Sequence, residues 1–490
     1  MTVELVAAPI CFRKVGDRFI VTTDAGDFAF VDDAELAALV RGDLPPGTRR
    51  DELARKGLLP VPEGLAHSVR KLHEKRSFLD AGPNLHIVVV TLRCDHRCVY
   101  CHASRAGMNA RDVDMSEETA RRVVETAMST TSPAVTIELQ GGEPLAHFDR
   151  VRQVVDMAIS LARDRGKTLD LSLVTGMTLM DDEKAEFLLD RRVQICTSLD
   201  GPQDLHDSLR PRKDGSSHAL VVEWIEKLNR AYRDRGLDPD LYHVDALVTV
   251  ARPSLGRARD IIDEYVRLGL KTIHLRPLNP LGLARRNEDE YGYGPREFLE
   301  FYREGLRYLV RKNLDGLEIL EKMTSVFLKK VLEDRDPGFL DIRSPCGGGI
   351  GQLAYDFDGS VYTCDEGRML ARMGDPAFRV GRVDETPYQA MMTSPATRIV
   401  CLASCLEGSA ACLACAYRPY CGTCPVLSYS QQGDPFGVIP ATDRCQIHKG
   451  VLDEIFRMLI EGGDDVRAVL ERWTLTRPRP ELIHGPAPSC

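Results

Sequence analysis

Between residues 85 and 277, apolar stretches of strand length alternate with amphipathic stretches of helix length, and this repetition constrains the fold more than any other feature. Strands are expected over 85–91, 135–139, 169–174, 193–198, 243–250 and 272–277. Helical periods lie between them, over 116–128, 148–164, 182–189, 219–235 and 257–268. Repeated strand–helix units predict an α/β architecture: a parallel sheet with helices on its outer face, curled into a partial (β/α)6 barrel. A complete eight-unit barrel needs two more units, and the text after Leu278 does not supply them. In parallel sheets the working groups sit at the C-terminal ends of the strands, so chemistry is sought in the loops that follow them.

The flanks read differently. Phe12 to Val21 and Gly26 to Val31 alternate apolar and polar residues around Asp24-Ala25-Gly26-Asp27, which predicts a hairpin. Asp32 and Asp33 cap a helix over 34–40, Pro45-Pro46-Gly47 breaks it, and a second short helix over 50–56 is closed by Gly57. Residues 1–80 are therefore expected to form a small α+β, winged-helix-like domain, with 69–75 as a linker or linking helix. The barrel is assigned to 81–285 and bridging helices to 286–345, with long helices over 295–312 and 317–333. A Gly- and Cys-rich domain spans 346–449, and 450–490 is a C-terminal segment with helix over 451–473. Its final Arg477-Pro478-Arg479-Pro480 and Gly485-Pro486-Ala487-Pro488 are expected to be disordered.

Composition narrows the function. Hydrophobic residues make up 43% of the 490, enough for buried cores, so wholesale disorder is excluded. A net charge of −9 argues against a nucleic-acid surface as the main business. No stretch approaches the roughly 18 apolar residues that cross a bilayer. The first residues, Met1 to Arg13, lack a basic n-region and a small-residue cleavage site, so a cytoplasmic protein is expected. Fifteen cysteines in such a chain are poor candidates for a disulfide framework, which leaves metal ligation as the first reading.

Three of those cysteines follow the first barrel strand in Cys94-Asp95-His96-Arg97-Cys98-Val99-Tyr100-Cys101. Structural zinc wants four protein ligands, and catalytic zinc rarely takes three thiolates in this spacing. Three thiolates on one loop suit three corners of a [4Fe–4S] cubane, with the fourth iron open. The C-x3-C-x2-C spacing, with Tyr100 before the last Cys, resembles the radical S-adenosylmethionine (radical SAM) superfamily. That resemblance implies that the open iron binds S-adenosylmethionine, which is cleaved to methionine and a 5′-deoxyadenosyl radical. Further matches stand at later strand ends. Gly141-Gly142-Glu143-Pro144 looks like the motif for the methionine amino group, with Glu143 opposite the ammonium and the glycines allowing close backbone approach. Thr197-Ser198-Leu199-Asp200-Gly201-Pro202, followed by Arg210, is similar to the peptide-modifying branch, where the Ser and a downstream Arg reach the cofactor carboxylate. The third strand departs from the family's Thr-Asn-Gly, reading Thr175-Gly176-Met177, which puts ribose contacts there in doubt. His96 reads as a loop residue, because the ligand count is met without it.

The second cysteine region contains Cys346, Gly359, Cys364, then Cys412-x2-Cys415-x5-Cys421-x2-Cys424, and finally Cys445. Paired C-x2-C alone would favour a zinc ribbon. The whole order resembles the SPASM extension of radical SAM enzymes, which carries two auxiliary [4Fe–4S] clusters, although the penultimate gap is two residues where the family usually has three. The resemblance implies Cys346, Cys364 and Cys424 for auxiliary cluster I, and Cys412, Cys415, Cys421 and Cys445 for auxiliary cluster II. Cys401 and Cys405 are alternatives for the fourth ligand of cluster I, with Cys405 preferred; with neither, one iron stays open. Asp365 follows Cys364 where sulfatase-maturing relatives place a base that takes the substrate proton. Cys11 and Cys196 read as small buried hydrophobes, and Cys490 as an unmodified tail residue.

The amino-terminal unit resembles the peptide-binding recognition element of peptide-maturation systems. Together these resemblances imply a maturase that modifies a ribosomally made peptide by hydrogen abstraction, forming a crosslink or thioether or inverting a centre. The stretch Tyr417 to Val426, with Gln432-Gly433, is similar to the B-component maturases of His-Xaa-Ser peptide systems. Expected partners are a precursor peptide, an electron donor such as flavodoxin or ferredoxin, and a second maturase, with no nucleic acid and no membrane. Two other classes stay open: an anaerobic sulfatase-maturing enzyme making formylglycine, and a structural metal-binding scaffold.

Overall fold

The structure, a computed structural model, describes residues 10–333 and 336–485, so Pro486, Ala487, Pro488 and Cys490 lie outside the described residues. The chain divides into two units: Met1–Asp80, Met323–Cys346 and Leu402–Leu475 make the first, and Ala81–Lys322, Gly347–Cys401 and Thr476–Cys490 the second.

The first unit opens with a three-stranded antiparallel sheet, β1 (Ile10–Val15), β2 (Arg18–Thr23) and β3 (Phe28–Val31). Phe12 to Val21 is expected as one arm of the hairpin, but Gly16, at φ +63°, turns the chain with Asp17 and makes two strands. The second turn falls where expected, with the Gly26 N–H on the Thr23 carbonyl at 3.0 Å. Helix Asp33–Arg41 starts on a capping box: Asp32 accepts from the Glu35 N–H at 2.8 Å and Glu35 reaches back to the Asp32 N–H. Of the two expectations for 69–75, linker or linking helix, the structure has the helix, which starts earlier, over Pro62–Lys75, with a proline at its first position. Farther along the chain, Phe456 of helix Asp443–Glu461 lies edge-on to Phe28 at 5.4 Å and stacked on Tyr417 at 5.6 Å. The expected 451–473 helix is two, Asp443–Glu461 and Gly463–Arg472, separated where Gly463 takes φ +70°.

In the second unit β4 (Leu85–Val89), β5 (Ala134–Gln140), β6 (Thr168–Thr175), β7 (Gln194–Ser198), β8 (Asp245–Thr249) and the β9/β10 pair (Thr272–Ile273, Leu275–Arg276) run parallel in sequence order. This is the expected α/β barrel sheet, and its six repeats are those read from the alternation. Val135, Ile137, Leu139, Leu171 and Leu173 are at most 1% exposed, on the face the helices cover. The opposite, concave face carries Glu138, Gln140, Ser172, Gln194, Cys196 and Ser198, all half-buried. An inner face that is polar and not sealed is a binding surface rather than a filled core.

Three differences accompany this sheet. A short β11 (Leu320–Glu321) pairs with β9 as a separate two-stranded sheet, so the expected 317–333 helix shrinks to Lys322–Leu332. Beyond β4 the sheet gains β12 (Gln352–Tyr355), parallel to it, then β13 (Ser360–Tyr362) and β14 (Arg379–Arg382), both antiparallel. Of the tail expected to be disordered, the Arg477–Pro480 stretch is instead anchored: Arg477 meets Asp238 at 2.8 Å, Arg479 meets Asp245 at 3.2 Å, and β15 (Ile483–His484) after it pairs with β6. Two arginines with carboxylate partners outweigh the disorder bias of the surrounding prolines.

Candidate functional site

The Cys94–Cys101 loop is fixed by backbone before any side chain acts. The Cys94 N–H binds the Ala106 carbonyl at 3.1 Å, Arg97 N–H binds Pro211 at 2.8 Å, and Val99 N–H binds Leu209 at 3.0 Å. Arg93, 1% exposed, donates to Asp114 at 2.7 Å and to the Ala146 carbonyl at 2.6 Å. The two glycines expected to admit a cofactor admit this loop. A Cβ on Gly141 would stand 2.3 Å from the Thr91 carbonyl oxygen, and one on Gly142 would stand 2.4 Å from that of Leu92. Their closeness lets the Gly142 N–H reach Thr91 at 2.8 Å and the Glu143 N–H reach Arg93 at 2.7 Å. Pro144 is buried as the first residue of a short 3-10 turn.

The three thiols share one electrostatic neighbourhood. Burial pushes the Cys98 thiol up to about 11, against the pull of Arg210, and Cys101 adds to the rise. Cys94 is raised well above the ordinary range by burial, then by Glu143 and Cys98. Thiols whose ionisation burial opposes need a cationic partner to become ligands. This donor set fits an iron–sulfur cluster held by Cys94, Cys98 and Cys101. His96 is not spare for it: its Nδ1 is 3.1 Å from Asp95 and its Nε2 2.7 Å from Ser217 Oγ.

Around the loop stand the other expected residues. The Tyr100 hydroxyl donates to Asp200, which also accepts from Arg210 Nε at 2.8 Å and the Thr249 N–H at 3.1 Å. The Arg210 guanidinium lies 5.3 Å over the Tyr100 ring, with Nη1 3.8 Å from Cys98 Sγ. Glu143 accepts from Thr175 at 2.7 Å, Gly176 N–H at 2.7 Å and Leu145 N–H at 3.0 Å. Burial raises its pKa against those donors. The departure at 175–177 has a local reason: a Cβ on Gly176 would meet His96 at 2.9 Å, and buried Met177 follows at φ +59°. Ser198 lies on the inner face at the end of β7.

Asp365 is buried and opens helix Asp365–Arg372, with Cys364 as N-cap; its carboxylate accepts from Arg368 Nε at 2.7 Å. Cys196, expected in a packed core, faces the concave side with Glu138 and Arg276, because β7 places it one residue out of phase with buried Ile195 and Thr197. Residues missed in the sequence are those that hold the loop or line the inner face: Arg93, Asp114, Thr175, Glu138, Arg276 and Arg368. The strand-end rule pointed at Arg276, and the others carry no sequence signal of their own.

In the first unit Cys412, Cys415, Cys421 and Cys445 line one small pocket with Tyr417, Arg418 and Lys449. Burial and then Cys445 push the Cys421 thiol up to about 12, with Cys415 adding to the rise. Cys445 is raised by burial and by Cys415 and Cys412. The four thiols thus converge as a ligand set would. Cys11 is half-buried rather than core: its thiol donates to the Leu413 carbonyl at 3.2 Å. The Cys346 N–H binds Ser404 Oγ at 2.8 Å, next to Cys405, which is half-buried. Cys346, Cys405 and Cys424 belong to the first unit, and Cys364 and Cys401 to the second. Among the described residues no helix is long and apolar enough to cross a membrane.

Residues 88–244 match the family model of the radical SAM superfamily. The chain is 23% identical over 340 residues to the cysteine-type anaerobic sulfatase-maturating enzyme of Clostridium novyi (strain NT), covering 67% of this chain and 83% of that one. It is 25% identical over 230 residues to the radical SAM cyclopropyl synthase TigE of Paramaledivibacter caminithermalis, covering 44% and 46%. Uncharacterized protein MJ0907 of Methanocaldococcus jannaschii is 28% identical over 134 residues, 27% of this chain and 44% of its own length. Among solved structures, native anSMEcpe with bound AdoMet superposes with a TM-score of 0.63 at 18% identity, over 79% of this chain and 100% of that one. Streptococcus suis SuiB bound to precursor peptide SuiA does so at 0.52 and 12%, over 88% and 98%. The chain therefore carries a radical SAM domain and has the fold of these structures.

Proposed function

We propose that this chain is a radical SAM maturase that modifies a ribosomally made peptide, of the kind His-Xaa-Ser peptide systems use. The observation that carries the reading is the juxtaposition of three half-buried cysteines on one loop, Cys94, Cys98 and Cys101, with the Tyr100–Asp200–Arg210 node beside the half-buried polar face of the sheet. When bound, the [4Fe–4S] cluster and S-adenosylmethionine supply a 5′-deoxyadenosyl radical that removes one hydrogen atom from the peptide. Everything else is positioning by the protein. Glu143 offers negative charge to the cofactor ammonium; Ser198 and Arg210 serve its carboxylate, with Arg210 held in place by Asp200. Buried Tyr100 closes the site from the side of β7 and β8. Asp365, ion-paired with Arg368, serves as the base that takes a proton from the substrate.

Two auxiliary clusters complete the reading: one on Cys412, Cys415, Cys421 and Cys445, and one on Cys346, Cys364 and Cys424 with Cys405. The amino-terminal sheet and helices serve as the leader-peptide reader, an electron donor such as flavodoxin or ferredoxin feeds the cluster, and a second maturase acts on the same peptide. The likeness to SuiB, whose structure holds a precursor peptide, supports a peptide substrate. The test is mass spectrometry of a precursor peptide co-expressed with the chain. A product lighter by two hydrogen atoms is expected, or one of unchanged mass in ordinary water that gains one deuterium when the reaction runs in heavy water. An unmodified peptide beside an enzyme that cleaves S-adenosylmethionine contradicts it.

The Cys364-Asp365 pair and the likeness to sulfatase-maturating enzymes favour a second reading, formylglycine formation. Incubation with a sulfatase-derived peptide carrying the target Cys or Ser separates the two.

A further inference from the structure

The four thiols that converge in the first unit come from two segments: Cys412, Cys415 and Cys421 from one loop, and Cys445 from the first turn of helix Asp443–Glu461. A third segment of the same unit, the sheet β1–β3, holds on to both. Pairing register fixes which face does so. Cys11 stands opposite Thr22 and Arg13 opposite Ile20, while Thr22 and Ile20 stand opposite Phe28 and Phe30, so these six side chains share one face.

That face meets the loop through hydrogen bonds. The Cys11 thiol donates to the Leu413 carbonyl at 3.2 Å, and the Thr22 hydroxyl donates to the Ala416 carbonyl at 2.9 Å. Leu413 and Ala416 each follow a cysteine directly, so the two bonds set the backbone at Cys412 and Cys415. From the loop, the Tyr420 hydroxyl donates to the Gly26 carbonyl in the β2–β3 turn at 3.0 Å. The same face meets the helix as well: Arg13 donates twice to Asp453, both at 2.7 Å, and Phe28 and Phe30 lie edge-on to Phe456 at 5.4 and 6.2 Å. Ile20 and Thr22 are at most 1% exposed, so the junction is sealed. The other face, with Val21, Ala29 and Val31, packs on Leu36, Leu39 and Leu53.

A metal centre needs all four thiols within reach at once, so a sheet that orders the loop and the helix together raises its affinity. By linkage the bound metal stabilises the sheet to the same extent. Building on the auxiliary-cluster reading above, we propose that the amino-terminal sheet is a clasp for the metal centre at Cys412, Cys415, Cys421 and Cys445, so that metal loading and order in the sheet are one coupled equilibrium. The segment assigned to reading the peptide is then fully ordered only in a loaded chain, which makes loading a condition for substrate capture.

The test uses the anaerobically purified full chain and a chromogenic iron chelator. Thr22→Val removes the hydroxyl and keeps the shape of a strand residue. About four irons per chain, one cubane, should then leave roughly threefold to tenfold faster, as the loss of one buried hydrogen bond allows, with the release of the others unaltered. Thr22→Ser keeps the donor and should restore slow release. In the reverse direction, Cys445→Ala should quicken amide exchange at Ile20, Val21 and Thr22 while exchange in β4 and β5 stays as it was. Equal release from Thr22→Val and the unsubstituted protein overturns the proposal, and so does unchanged exchange in Cys445→Ala. Zinc in place of iron at the four cysteines refutes the auxiliary-cluster reading but leaves the clasp measurable as zinc release, so the two failures are distinct. No metal at the four cysteines overturns both.

Discussion

Gly142 carries a demand that no other residue type meets. A Cβ there would stand 2.4 Å and 2.6 Å from two backbone carbonyl oxygens, those of Leu92 and Arg93, and backbone cannot swing away as a side chain can. Gly142→Ala is expected to destabilise the second unit by about 1–3 kcal/mol, as forced overpacking does, and to loosen the Cys94–Cys101 loop. Thermal unfolding and iron retention after gel filtration check both. Asp114 works by charge. Burial would raise its pKa, but the Arg93 guanidinium and the Thr91 hydroxyl hold it below the ordinary carboxylate value. A carboxylate depressed in the folded state contributes stability above its unfolded pKa of about 3.9 and loses it as pH falls through the folded value. Asp114→Asn should therefore cost most near neutral pH, about 3–5 kcal/mol because it strands buried Arg93, and the gap to the unsubstituted protein should narrow below about pH 4. A gap that is constant with pH contradicts the pairing.

Among the elements, the parallel strands were the most legible, because burial on the helix-covered face leaves an apolar residue at every second position from Val135 to Leu139 and from Leu169 to Leu173. The cluster loop was legible because its ligands are local: three cysteines within eight residues need no tertiary contact to be seen together. Illegible parts depend on partners far along the chain. The sequence from Phe12 to Val21 reads as one strand, and the left-handed Gly16 followed by Asp17 divides it into β1 and β2. The β12–β14 extension lies in a stretch whose cysteines and glycines mask short strands, and β15 exists because β6 has an open partner position. Two element-scale outcomes follow. Truncation after Leu475 removes β15 and the Arg479–Asp245 pair, and amide exchange at Leu169 and Asp170 should then quicken, while exchange in β4 stays slow. Phe456→Ala empties the aromatic cluster shared by β3 and the Asp443–Glu461 helix, and should cost the first unit about 3–5 kcal/mol, read by denaturant unfolding.

At the scale of the whole molecule, the account separates the cysteines by work. On the proposed reading Cys94, Cys98 and Cys101 hold the cluster that cleaves S-adenosylmethionine, and Cys346, Cys364 and Cys424 with Cys405 make a further set on the motif spacing. Four others converge on one pocket of the first unit. Iron and sulfide analysis of anaerobically purified protein should give about twelve irons per chain, four for each cubane. Zinc without iron would return the chain to a structural scaffold. The central claim, that Cys94, Cys98 and Cys101 hold the cluster that drives cleavage of S-adenosylmethionine, is tested most directly by 5′-deoxyadenosine formation under reducing, anaerobic conditions. The account predicts formation by the unsubstituted holoenzyme and none when the three cysteines are replaced by alanine. Continued formation by that triple variant would contradict it.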